Sequence, residues 1–86
     1  MPTIEMYTTA SCPFCVRAKR LLKKKGAGYT DFAVDQKPEL RPEMEKRASG
    51  QTSVPQIFID DYHVGGYDDL VDLDMEGKLD EMLGLK

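Results

Sequence analysis

An α/β fold with its elements in the order β-α-β-α-β-β-α is what this sequence predicts, on three observations. Thr3-Ile4-Glu5-Met6-Tyr7-Thr8 alternates apolar and polar β-formers, and a helical pattern from Pro13 to Lys25 separates it from a second strand-like run, Gly28 to Val34. Two parallel strands joined through a helix make a right-handed βαβ unit. Further on, Gln56-Ile57-Phe58-Ile59 and Tyr62-His63-Val64 flank a hairpin turn at Asp60-Asp61. Tyr67-Asp68-Asp69-Leu70 then opens a helix whose carboxylates suit its N-terminus.

Each element has a local reason. The first strand delivers the chain to Ser11-Cys12-Pro13-Phe14-Cys15 at its carboxyl end, where α/β sheets place their chemistry. Pro13 suits the first helical position, because its ring presets φ and its missing N–H would lack an intrahelical partner anyway. Cys15, Ala18 and Leu22 then recur at i, i+3 and i+7 as an inward stripe, and the helix stops at Gly26 behind a run of lysines. Tyr29, Phe32 and Val34 mark the second strand. A second helix is expected from Pro38 to about Ala48, starting near Pro42, which would interrupt it further back. Ser49-Gly50-Gln51-Thr52-Ser53 is turn-like, and Val54-Pro55 enters the third strand. A last amphipathic segment, Lys78 to Leu85, is expected to pack back on the sheet.

The chemistry centres on the two cysteines. Three positions apart at a helix start, they lie within the Cα separation of about 4.4–6.8 Å that a disulfide requires, so the bridge opens and closes with little backbone movement. Cys12, as N-cap, faces unpaired N–H groups that favour a thiolate, which makes it the attacking sulfur. Cys15 points inward and is the resolving sulfur. A structural disulfide closing so short a loop removes little unfolded-state entropy. Structural zinc wants four ligands, against two cysteines and one distant histidine, His63. The rival from another class is a soft-metal carrier, for copper or zinc, using both thiolates. Pro13 weighs against it, since it drives the segment straight into a helix rather than around an ion.

Composition narrows the rest. Eighty-six residues make one domain, 1–86, with a single core. Met1-Pro2-Thr3-Ile4 opens directly into a strand pattern without a signal peptide, and no apolar run approaches the roughly 20 residues of a membrane span. A cytoplasmic protein with no membrane partner is expected, and there two cysteines are more often catalytic or metal-binding than structural. The net charge of −3 hides an asymmetry: residues 1–26 carry six Lys or Arg against one acid, and residues 60–86 nine acids against two bases. Most of the basic block, Arg17, Lys19, Arg20, Lys23, Lys24 and Lys25, reads as a solvated helix face that also raises the potential near Cys12. With a sequence pI near 5.0 and no aromatic interleaving, nucleic-acid binding has little support. The five methionines read as core filler.

Four motifs together resemble a dithiol glutaredoxin: Tyr7-Thr8, Cys12-Pro13-Phe14-Cys15, Thr52-Ser53-Val54-Pro55-Gln56 and Gly65-Gly66-Tyr67-Asp68-Asp69-Leu70, in the family's order and spacing over nearly the whole chain. The resemblance implies a thioredoxin-like fold, with a four-stranded mixed sheet flanked by helices and a cis peptide before Pro55. It implies a thiol–disulfide oxidoreductase with no tightly bound cofactor and with glutathione as reducing co-substrate. Its partners would be glutathionylated or disulfide-containing proteins, ribonucleotide reductase being one candidate, and the chain would act as a monomer.

Carried over residue by residue, the resemblance assigns the glutathione groove to Phe14, Val54, Pro55, Tyr67, Asp68 and Asp69. The Val54 backbone would pair with the cysteinyl unit as an edge strand does. The γ-glutamyl carboxylate would sit on N–H groups at the Tyr67 helix start, with an Asp carboxylate holding the ammonium. Gly65-Gly66 lets the backbone approach closely. Without the resemblance, the same residues read as plain helix capping with a glycine turn. Arg41 is the candidate for the glycine carboxylate. Phe14 stands where the family usually has tyrosine, and Thr9 where many members carry lysine. Pro13 weighs against a bridging iron–sulfur cluster, which in this family tends to go with Gly or Ser after the first cysteine. His63 is expected as an exposed strand residue rather than a catalyst.

Overall fold

The computed structural model describes residues 2–85; Met1, where the expected leaderless opening begins, lies outside them. Its elements are β1 (Ile4–Thr8), α1 (Pro13–Lys24), β2 (Thr30–Ala33), α2 (Leu40–Arg47), β3 (Gln56–Ile59), β4 (Tyr62–Gly65), α3 (Tyr67–Met75) and α4 (Lys78–Met82). They form a four-stranded mixed sheet in the order β2-β1-β3-β4. The β1–β2 pair is parallel, and the β1–β3 and β3–β4 pairs are antiparallel. This is the thioredoxin-like architecture, with one helix more than the expected order.

The period of two along the strands divides the interior between the two faces of the sheet. Ile4 and Met6 of β1 and Ile57 and Ile59 of β3 face one side, where they pack with Ala18 and Leu22 of α1, Leu70 of α3 and Leu79 of α4. Tyr7 and Phe58 face the other, with Val34, Met44 and Ala48. The last segment thus does pack back on the sheet, although its helix ends at Met82, short of Leu85. Gly77, at φ 77°, breaks the terminal helical stretch into α3 and α4.

Helix boundaries follow from capping. α1 ends in a Schellman arrangement, the Ala27 N–H donating to the Leu22 carbonyl (3.0 Å) and the Gly26 N–H to Lys23 (2.9 Å), with Gly26 at φ 72°. α2 begins at Leu40 rather than near Pro42. Pro42 is tolerated there because the first turn's N–H groups have no intrahelical acceptor to lose. Asp60 and Asp61 both take positive φ, 49° and 67°, as a two-residue turn twisted with its strands requires. A register shift between Ile57 and Phe58 inserts Val64 as an extra residue in β4, so the ladder bulges where the chain turns toward α3. Among the described residues, no helix is long and apolar enough to cross a membrane.

Candidate active site

The dithiol sits where β1 ends and α1 begins. The loop between them is held by the Ala10 N–H donating to Asp35 Oδ2 (3.0 Å) and the Cys12 N–H to the Thr9 carbonyl (3.4 Å). Cys12 is the N-cap, with φ −95° and ψ 110°, and Pro13 occupies the first helical position. The Cys15 N–H donates to Cys12 Sγ at 3.1 Å, one of the unpaired helix-start donors now aimed at the sulfur. On its other side, the Cys12 thiol donates to the Val54 carbonyl at 3.6 Å.

Both cysteines are free thiols and differ in environment: Cys12 is half-buried and Cys15 only 1 % exposed. Burial, then the hydrogen bond with Cys12, pushes the Cys15 thiol up to about 12, against partial offsets from the Thr9 backbone and the Lys19 charge. At neutral pH Cys15 keeps its proton. Two of the raising causes come from Cys12 itself, its hydrogen bond and its charge, and both weaken once Cys12 is tied up in a disulfide.

Thr9 leaves the site without the lysine many family members have there. The cation whose field reaches Cys15 is instead Lys19, one turn further along α1, which pairs with Asp31 at 2.6 Å. Asp31 also accepts from Thr8 Oγ1 at 2.5 Å, so the end of β1, the start of β2 and α1 are tied together beside the dithiol. Nothing in the basic run singled out Lys19, because the deciding contact lies on the neighbouring strand.

Beside Cys12 runs a groove of about 280 Å³, lined by Phe14, Val54, Pro55, Tyr67, Asp68 and Asp69 together with Gln51, Ser53 and Gly66. Six of the sequence-nominated residues therefore come together, although they are drawn from α1, the loop before β3 and the start of α3. The Val54–Pro55 peptide is cis. Phe14 is half exposed, and its ring stacks on Tyr67 with centroids 6.2 Å apart. Arg41 does not line the groove; it donates to the Thr52 carbonyl at 2.8 Å, buttressing the loop from outside. Asp68 is exposed, whereas Asp69 caps α3, its Oδ2 accepting from the Gly66 N–H at 2.9 Å. Both aspartates line the groove, and Asp69 also serves as the cap.

The groove wall rests on a residue that reads in the sequence only as the end of one motif and the start of a strand. Gln56, fully buried in β3, donates from Nε2 to the Ser53 carbonyl (3.0 Å) and to Gln51 Oε1 (3.2 Å). Its Oε1 lies 2.7 Å from His63 Nε2, and since the Gln56 amide nitrogen is committed elsewhere, His63 must be the donor. His63 is accordingly half-buried and stacked on Phe58 rather than exposed. A polar residue opening an otherwise apolar strand was the available signal for this support.

The glutaredoxin family model matches residues 4–64. A glutaredoxin of Pseudomonas aeruginosa is 54% identical over 83 residues, covering 96% of this chain and 98% of the relative. The solution structure of the Brucella melitensis glutaredoxin is similar at 51% identity and TM-score 0.83, covering 96% of this chain and 89% of that one. A buckwheat glutaredoxin–glutathione complex aligns at 29% identity and TM-score 0.88, covering 96% and 77%. These are thiol oxidoreductases by family, and the family model's span takes in the stretch from β1 through most of β4: the chain belongs to the glutaredoxin family.

Proposed function

We propose that this protein is a glutathione-dependent thiol–disulfide oxidoreductase that reduces protein–glutathione mixed disulfides and, by a second route, protein disulfides. The observation that carries it is Cys12 Sγ, held between the Cys15 N–H and the Val54 carbonyl at the mouth of the groove. Val54 offers main-chain groups to an extended peptide. Asp68 and the start of α3 offer a carboxylate and N–H groups to the charged γ-glutamyl end. The complex of the buckwheat relative with glutathione supports the same ligand.

The Cys12 thiolate attacks the glutathione sulfur of a mixed disulfide, the bond to the protein sulfur breaks, and the protein leaves as a thiolate that takes up a proton. A second glutathione thiolate then attacks the glutathione sulfur on Cys12, so glutathione disulfide departs and the Cys12 thiolate returns. With a protein disulfide, Cys12 first forms a mixed disulfide with the protein, releasing its other sulfur as a thiol. Cys15 then gives up its proton and displaces the protein from Cys12. The resulting Cys12–Cys15 disulfide is reduced by two glutathiones, which leave as glutathione disulfide.

The deciding experiment is reduction of the mixed disulfide of glutathione and 2-mercaptoethanol with glutathione as sole electron donor. Turnover lost in Cys12→Ser is the expected result. Wild-type protein that binds Cu(I) or Zn(II) stoichiometrically and gives no turnover would favour the metal-carrier alternative.

A further inference from the structure

The solvent face of α1 carries more charge than its own stability explains. Arg17, Arg20 and Lys24 share one face with Leu21 and, together with Tyr67 of α3, line a shallow cleft of about 330 Å³. Among the described residues, the ion pairs involve Lys19, Lys25, Arg47 and Lys78; Arg17, Arg20, Lys23 and Lys24 have no carboxylate partner. Four exposed like charges three and four residues apart repel one another. They do so in a chain whose net charge is −3.

This cleft shares a wall with the groove. Tyr67 lines both, Phe14 stacks on Tyr67, and the Arg17 guanidinium lies over the Phe14 ring, 5.4 Å from its centroid. The same helix carries Cys12 at its head. On the function proposed above, glutathione fills one side of this aromatic wall, and the polypeptide attached to it has to leave the site across a rim. The rim along α1 is cationic, with Phe14 and Val16 exposed at 50% and 46%.

We infer that the Arg17–Arg20–Lys24 face is the docking surface for the polypeptide half of the mixed disulfide, and that it selects cysteines flanked by Asp or Glu. A polypeptide is the occupant, rather than a nucleic acid, because only a polypeptide brings a sulfur to Cys12 at the head of that helix. Electrostatic complementarity of this kind acts chiefly on encounter rate. Its signature is therefore kcat/KM with a strong salt dependence.

The test uses two peptides of equal length, each with one glutathionylated cysteine, flanked by Asp and Glu in one and by Lys in the other. The small mixed disulfide used above is the control. For the wild-type protein at low salt, kcat/KM for the acidic peptide should exceed that for the basic one by at least about tenfold, and the ratio should shrink as salt shortens the screening length. With each peptide's kcat/KM taken relative to the control, Arg20→Glu combined with Lys24→Glu should invert the preference, and Arg20→Gln combined with Lys24→Gln should erase it. Equal handling of both peptides by the wild type, or a preference that survives charge reversal, would overturn the inference while leaving the proposed function standing. Loss of the control reaction in a folded double variant would overturn it too, by making the face part of the groove. A wild-type protein inactive on all three substrates would remove both readings.

Discussion

At the residue scale the two sulfurs are one turn apart and chemically unlike. Cys12→Ser should abolish both reactions, because a serine hydroxyl stays protonated near neutral pH. Cys15→Ser should retain reduction of the small glutathione mixed disulfide, and even quicken it, since the intermediate can no longer be diverted into an internal disulfide. Reduction of protein disulfides should fall sharply in the same variant, and steady-state rates on the two substrate types separate these outcomes. The two aspartates at the start of α3 are expected to part company as well. Asp68→Ala should raise the KM for glutathione about threefold to tenfold with the fold intact, in proportion to one exposed charge-assisted hydrogen bond. Asp69→Ala also removes the acceptor of the Gly66 N–H and should cost about 1 kcal/mol of stability besides. Gly65 stands behind that cap at φ 114°, where a Cβ would run into the Asp69 carboxylate. Gly65→Ala should therefore destabilise by about 1–3 kcal/mol, measurable by urea unfolding.

At the element scale, α1 buries Cys15 among its inward stripe, and that burial has a pH signature. The folded chain holds the Cys15 proton up to about 12, whereas an unfolded thiol gives it up near 9.0. Above that lower value the unfolded state binds fewer protons than the folded one, so stability falls as pH rises. The contribution is fully present below pH 9 and is lost progressively toward pH 12. The stability difference between wild type and Cys15→Ser should narrow over that window, as urea unfolding at pH 7.5, 9 and 10.5 would show. α2 is held differently, since its only buried side chain is Met44, with Ala48 just beyond its end. Arg47 supplies a further anchor, donating to the Tyr7 hydroxyl and to Glu5 Oε1, both at 2.9 Å, with its guanidinium 4.1 Å from the Phe58 ring centroid. Lysine has no planar fork for these contacts, so Arg47→Lys should cost about 1–2 kcal/mol.

At the scale of the whole molecule, the site is an assembly of three separate segments registered by one sheet. β1 carries the Cys12 loop, β3 carries the Val54–Pro55 loop, and their antiparallel pairing, with Tyr7 opposite Gln56, sets the two loops side by side. Gln56 secures that junction, binding the 51–53 loop with its amide nitrogen and His63 of β4 with its oxygen. Gln56→Leu leaves those partners unpaired, at about 1–3 kcal/mol. Hydrogen exchange across residues 51–54 should quicken and KM for glutathione should rise, with kcat on the small mixed disulfide little changed. A fall in kcat alone would place the role of Gln56 elsewhere.

Local chemistry determined most of the elements. Proline, glycine and strand alternation act within a few residues, so α1 from Pro13 to its Gly26 stop and β3 from Gln56 to Ile59 were legible, as were the order of the strands along the chain and the cysteine pair at a helix start. The groove residues could be nominated through the family's motifs, because those motifs preserve the spacing of segments that meet in space. Tertiary structure alone decided which partner each polar group takes. Arg41 braces a loop from outside, and His63 is drawn inward by Gln56. Lys19, rather than any other member of the basic run, pairs with Asp31 of β2, and its charge acts on Cys15. Helix periodicity says which face a side chain occupies, but the partner it finds there is set by strand register and packing between segments far apart in the chain.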